Sequence, residues 1–250
     1  MMIQGKVDMR QGIQSLETGI GVLDAVVRAQ RPLRLMEVAE ATGLSPSKAR
    51  MYLISLIRTG MVEQNVSTNA YSFGPRASRL GLEALRSDGV LLSAEQLVSA
   101  LATETGNPAM LSAWSEDHSV IVHASDKTSA LPITFRVGRS TSLTDTATGK
   151  TFLAYKKEAD VVVALRLLGI DTLSESFRND LHEIRRRGYA LSTAIHLQPG
   201  VTLNGFGALA APIFASNGDV RYVITVLYRS TDTAPMTKLL AEKIISRSRV

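Results

Sequence analysis

The stretch "ATGLSPSKARMYLISLIRTGMVEQ", residues 41–64, decides the reading of the first third of the chain. It holds Lys48, Arg50 and Arg58 and has no acidic residue between Glu40 and Glu63. A solvated helix face ordinarily mixes both signs, because opposite charges three or four residues apart support each other. A face of one sign asks for an anionic partner. Ser45 suits a helix N-cap and Pro46 the first helical position, where a missing N–H costs nothing, and Gly60 ends the run. The spacing predicts a helix from Pro46 to Thr59. At about 100° per residue, Ala49, Leu53, Leu56 and Ile57 share the inward face. Ser47, Lys48, Arg50, Met51, Ser55 and Arg58 take the outward one.

Upstream, "LRLMEVAEATG" repeats the pattern on a shorter scale, with Leu35, Val38 and Ala39 inward and Gly43 just past the helix end. Before it, Ile13, Leu16, Ile20, Leu23 and Val27 recur at spacings of three and four, which places them on one stripe of a first helix that closes before Pro32. Downstream, "MVEQNVSTNAYSFGP" reads as strands Met61 to Gln64 and Ala70 to Phe73 around a polar loop. Three helices and a hairpin make a winged helix-turn-helix. Its third helix is of a size to enter a major groove about 12 Å wide, with the hairpin over the neighbouring backbone.

The charge follows the same division. The formal net charge is +5 with a pI near 9.6, and residues 1–87 hold eleven Lys and Arg against seven Asp and Glu, while the remainder is nearly balanced. At 250 residues, 45% hydrophobic and 20% charged, the chain is an ordinary globular one of two-domain length. The absence of cysteine excludes disulfides, thiolate metal sites and a cysteine nucleophile. With no apolar run of the roughly 18 residues needed to span a bilayer, and a start lacking a signal-peptide core, a cytoplasmic protein is expected.

After the wing, "RASRLGLEALRSDGVLLSAEQLVSALATETG" reads as a linker helix with Leu80, Ala84 and Leu85 on one side, a break near Ser87 to Gly89, and the first helix of a second domain. The expected division is 1–75, a linker helix over 76–92, and 93–250. "AMLSAW", "SVIVHASD" and "LPITFRVG" look like strands; "ATGKTFLAYK", "EADVVVALRLLG" and "LSESFRNDLHEIRRRG" look like helices. "ALAAPIFASNGDVRYVITVLYRS" is two strands joined at Asn217-Gly218, a dipeptide that accepts the positive φ angles of a two-residue hairpin turn. A closing helix is expected over about 234–248. The fold class is therefore α+β, with an antiparallel sheet flanked by helices in the second domain.

Taken in order, "SLETGIGVLDAV", "RPLRLMEVAEATGLSPSKARMYLISLIRTGMVEQ", "YSFGPRASRLG", "VGRSTSLTDTATGKTFLAY", "IRRRGYALS", "PGV" and "AAPIFASNGDVRYVITV" resemble the IclR family of bacterial transcription regulators over roughly residues 12–249. The resemblance implies a GAF/PAS-like second domain that takes a metabolite, often an aromatic or carboxylic acid. It also implies a homodimer or homotetramer on double-stranded operator DNA, and a role as repressor or activator of catabolic genes. No cofactor or metal is implied. The family's effector pocket carries over to Thr146, Ala147 and Thr148, to the segment around Thr202 and Asn204, and to Thr225 and Leu227. Two departures fall at this wall. "PGVTLNGFGALAAP" is longer and richer in glycine than the family's segment and lacks its cysteine, and "ALSTAIHL" replaces acids expected after "RRRGY".

For DNA, Lys48 and Arg50 offer charge-assisted hydrogen bonds, and Arg50 can address guanine O6 and N7 with two donors. Ser45, Ser47 and the helix N-terminus suit a phosphate, and Met51 and Tyr52 a thymine methyl or sugar edge. Asn65, Thr68 and Asn69 of the wing and Arg31 and Arg34 before the second helix are further candidates.

Catalytic motifs fail on inspection. "TDTATGKT" ends like a phosphate-binding loop but has Thr144 where that loop requires glycine. "GFGALA" has the outline of a dinucleotide fingerprint but feeds a strand, so a turn or bulge relieved by glycine is the reading. There is no G-x-S-x-G or H-E-x-x-H, and His118, His123, His182 and His196 are too dispersed for a local metal motif. The alternatives left open are a small-molecule-processing enzyme with an appended helical domain, and a module whose front helices bind protein.

Overall fold

The computed structural model describes residues 12–29, 31–87, 89–115, 117–126, 135–198, 201–229 and 242, and of 196–198 and 201–202 the backbone alone. The chain divides into two compact units, Met1–Ser87 and Asp88–Val250.

In the first unit, α1 (Gln14–Arg28), α2 (Leu35–Thr42) and α3 (Pro46–Arg58) precede a short hairpin of β1 (Val62–Gln64) and β2 (Tyr71–Phe73), and α4 (Pro75–Arg86) follows. Gly43 takes φ +66°, a left-handed value that turns the chain from α2 into α3 without a side-chain clash. Ser45 Oγ accepts the Lys48 N–H at 3.3 Å, the expected cap, and α3 starts at Pro46. Leu33 and Tyr71 exchange backbone hydrogen bonds at 3.0 and 2.7 Å, tying the wing to the segment before α2. Val22, Val26, Val38, Ala49, Leu53 and Tyr71 form the centre of this unit's core.

Of the expected α1 stripe the core covers Leu23 alone among the described residues. Val22, Leu23 and Val26 are buried, whereas Ile13, Leu16, Ile20 and Val27 are exposed. The helix has two apolar sides, and periodicity alone does not say which one is packed. Likewise α4 carries Leu80 exposed and Leu85 half-buried, and no residue of it is buried.

The second unit opens with α5 (Gly89–Thr105) and has a six-stranded antiparallel sheet in the order β5-β4-β3-β10-β9-β6. Its strands are β3 (Ala109–Ser115), β4 (His118–Ser125), β5 (Ser140–Thr141), β6 (Ala190–Ser192), β9 (Phe206–Phe214) and β10 (Val220–Arg229). Helices α6 (Ala147–Tyr155), α7 (Glu158–Leu167) and α8 (Glu175–Arg187) lie between β5 and β6, and β7 (Ile195–Gln198) pairs with β8 (Val201–Leu203) apart from the main sheet. The chain is thus α+β, a winged helix-turn-helix followed by an antiparallel sheet with helices. Of the strand expected in "LPITFRVG", residues 131–134 lie outside the described residues, and 135–138 form an irregular run and turn. The expected closing helix also lies outside them, apart from helical Glu242.

The β9–β10 turn differs from expectation. Gly218 donates to Ala215 O and the Ala215 N–H to Asp219 O, both at 2.9 Å, so three residues, not two, make the loop. Only Gly218 is left-handed, at φ +81°. Asn217 does not take a positive φ; its side-chain oxygen accepts the Asp219 N–H at 3.0 Å, and the extra residue is absorbed as a bulge.

Candidate DNA interface and ligand site

Helix α3 presents its polar side as the sequence predicts: Ser47, Lys48, Arg50, Met51, Ser55 and Arg58 are exposed, while Ala49 and Leu53 are fully buried. Ile54 is exposed as well, which the sequence reading missed. The helical wheel held the signal, since Ile54 stands three residues after Met51 and four before Arg58 on one stripe. Tyr52 sits elsewhere: it is half-buried, and its ring packs on α1 beside Gly19. Arg34 is exposed at the N-cap of α2, where its backbone N–H donates to Glu37 Oε2 at 2.7 Å. Arg31 is held by the other oxygen of the same carboxylate, at 2.6 Å. These two hydrogen bonds, Arg31 first, hold the Glu37 carboxyl below its ordinary range.

The wing orders itself. Asn65 Oδ1 accepts the N–H groups of Ser67 and Thr68 at 2.9 and 3.0 Å, and Asn69 adopts φ +54° while donating its N–H to Asn65 O. The Asn65 oxygen is therefore engaged within the turn, and the exposed Asn69 stands at its end.

In the second unit, α6 lies on the sheet face formed by β9 and β10. Thr146 caps the helix: its Oγ1 accepts the Gly149 N–H at 3.0 Å and donates to Ser142 O at 2.6 Å. Ala147 and Leu227 belong to the same buried cluster, and Thr148 Oγ1 meets Thr225 Oγ1 at 2.8 Å. These four expected pocket residues come together; Asn204 does not join them, being exposed in the turn before β9. The side chain of Thr202 lies outside the described residues.

Gly149 and Lys150 have structural reasons for being there. A β-carbon on Gly149 would collide with Ser142 O and the Leu143 backbone, and Lys150 Nζ reaches Asp180 Oδ2 at 3.3 Å across to α8. In "GFGALA", Gly205 makes the left-handed turn into β9 and Gly207 lies under the Tyr228 ring, so neither glycine opens a helix.

Ser112 adds a polar group that the sequence reading did not single out. It is opposite Val223 in the β3–β10 register, two residues from the Met110–Thr225 pair, so it shares the sheet face that carries Thr225. It is fully buried, and its hydroxyl has no hydrogen-bond partner among the described residues. Beside it on β3, Trp114 packs edge-on against Phe152 of α6, with ring centroids 5.7 Å apart. The Lys156 ammonium stands 5.6 Å from the Trp114 ring centre, and partial burial draws its pKa down. Among the described residues there is no cluster of three or more potential metal ligands, and no helix is long and apolar enough to cross a membrane.

Residues 15–66 match the IclR helix-turn-helix domain and residues 82–245 the bacterial transcriptional regulator IclR C-terminal domain. The glycerol operon regulatory protein of Streptomyces coelicolor is 30% identical over 210 residues, covering 82% of this chain and 80% of its own. An IclR regulator from Silicibacter sp. TM1040 shares the fold with a TM-score of 0.81 at 18% identity, over 94% of this chain and 93% of that one. An IclR homologue from Microbacterium hydrocarbonoxydans, solved with 4-hydroxybenzoate, superposes with a TM-score of 0.67 at 16% identity, over 93% and 97% of the two chains. Two domain matches that between them span both compact units, in the order of the fold just described, make this chain a member of the IclR family of bacterial transcriptional regulators.

Proposed function

We propose that this regulator controls catabolic genes by binding operator DNA through the exposed face of α3, and that a small aromatic or carboxylic acid held in the second unit sets its occupancy. The observation that carries the reading is the run of exposed cations on α3 with no acid between Glu40 and Glu63, on a helix-turn-helix matched to the family. Ser45, Ser47, Lys48, Arg50 and Met51 are the contacts we assign to α3, with Arg34 and Asn69 meeting the backbone on either side. The protein works in the cytoplasm, with α4 linking the reading and sensing units.

The effector site is assigned to the face shared by α6 and β10. Thr148, Thr225 and Ser112 offer hydroxyls there, and an unpartnered buried hydroxyl such as that of Ser112 gains most from a ligand that supplies its missing hydrogen bond. The 4-hydroxybenzoate of the Microbacterium homologue favours an aromatic acid. A homodimer or homotetramer is supported by the apolar stripe of Ile13, Leu16, Ile20 and Val27, which is exposed among the described residues. A thermal-shift screen of the full chain against aromatic and short-chain acids, followed by operator binding with each hit, tests the reading. A ligand that raises the melting temperature and changes operator affinity is expected. Ligands that stabilise the chain without altering DNA affinity would refute the coupling.

A further inference from the structure

The outward face of α3 is not uniformly polar. Met51 and Ile54 are 67% and 47% exposed in the middle of it. At about 100° per residue, Ser47, Met51, Ile54 and Arg58 form one narrow stripe, centred about 150° round the helix from the midpoint of the buried Ala49 and Leu53. Lys48 lies about 90° to one side of that stripe and Arg50 about 70° to the other. A helix about 10–12 Å across fills a groove about 12 Å wide. Its flanks then face the two phosphate walls and its central stripe faces the base edges.

Resting on the DNA-binding reading above, we infer that Met51 and Ile54 read thymine 5-methyl groups on the floor of the major groove, while Lys48 and Arg50 grip phosphates on its opposite walls. The thymine methyl is the one apolar group that a major-groove edge offers, so burying two aliphatic side chains there favours A·T pairs at the positions they cover. Arg50 accordingly supplies affinity that does not depend on sequence, instead of the guanine contact that residue type alone suggests. Base preference beneath α3 comes from shape and methyl packing, with Ser47 and Arg58 at the two ends of the stripe.

The test begins with selection of binding sites by the full chain from a random duplex library. Each thymine of the selected site is then replaced singly by deoxyuridine, which removes only the methyl. Affinity is expected to fall about fourfold at one position facing Met51 and at another facing Ile54, the worth of one buried methyl group. Met51→Ala is expected to erase the first penalty and Ile54→Ala the second. Lys48→Ala and Arg50→Ala are each expected to lower the slope of log affinity against log salt by about one and to select the same consensus. All four side chains are exposed, so unchanged melting temperatures certify the folds of the variants. Selected sites indifferent to deoxyuridine, or an Arg50→Ala variant that loses a preference for guanine, overturn the inference while leaving DNA binding intact. Failure to select any duplex overturns the DNA-binding reading itself.

Discussion

Thr148 of α6 and Thr225 of β10 meet hydroxyl to hydroxyl at 2.8 Å, both side chains buried, though 77 residues separate them in the chain. The contact fastens the helix to the middle of the sheet at a place where neither group has water to fall back on. Replacing one threonine by valine keeps the shape and strands the other hydroxyl, at an expected cost of about 1–3 kcal/mol. Replacing both removes the stranded group. Denaturant melts of the two single variants and the double variant are expected to be non-additive, with the double closer to the parent than the sum of the singles predicts.

Gly149 is predicted to tolerate no side chain. A β-carbon added there would run into Ser142 O and the Leu143 backbone, and those are main-chain atoms that cannot swing aside. Gly149→Ala would ordinarily favour a helix, yet here the overpacking is expected to cost about 1–3 kcal/mol. A lowered melting midpoint checks it.

Glu37 predicts an acid limb for the first unit. Its carboxyl is held below the ordinary range by hydrogen bonds from Arg31 and then from the Arg34 N–H, so the folded unit binds fewer protons than the unfolded one. That contribution is complete above the unfolded carboxyl pKa and disappears as pH falls through the lowered folded value. Glu37→Gln keeps an acceptor for the Arg34 N–H and loses the charge. Melting temperature followed down through the acidic range is expected to fall less steeply in the variant than in the parent.

The exposed stripe of α1 makes a prediction about assembly. If Ile20 and Leu16 face a second copy of the chain, Leu16→Asp/Ile20→Asp is expected to lower the sedimenting mass while the melting temperature of the monomeric unit stays put. A parent chain that is already monomeric at micromolar concentration would sink the assignment.

How far these features were readable depended on how local their causes are. The Ser45 cap, Pro46, the ends at Gly43 and Gly60 and the inward pair Ala49 and Leu53 follow from rules spanning a few residues, and the structure matches them. The α1 stripe was found by its period, but its cover was not, because what packs on a helix is decided by other elements. Ile54 is hard to read for a related reason: an apolar residue among cations is notable only once the opposite face is known to be full. Thr148 and Thr225 were joined by resemblance to a family, and Ser112 became visible only through the β3–β10 register. Nothing in either local stretch announces its partner strand.

The sheet order has a consequence for synthesis. β10 sits between β3 and β9, and it is the last described strand to leave the ribosome. Until it arrives, β3 and β4 have an open edge, whereas every strand and helix of the winged unit is already complete. A message broken ahead of residue 220 would therefore yield a polypeptide able to form its operator-reading half with a raw, unzipped flank behind it, a species prone to clump and in need of chaperones or proteases.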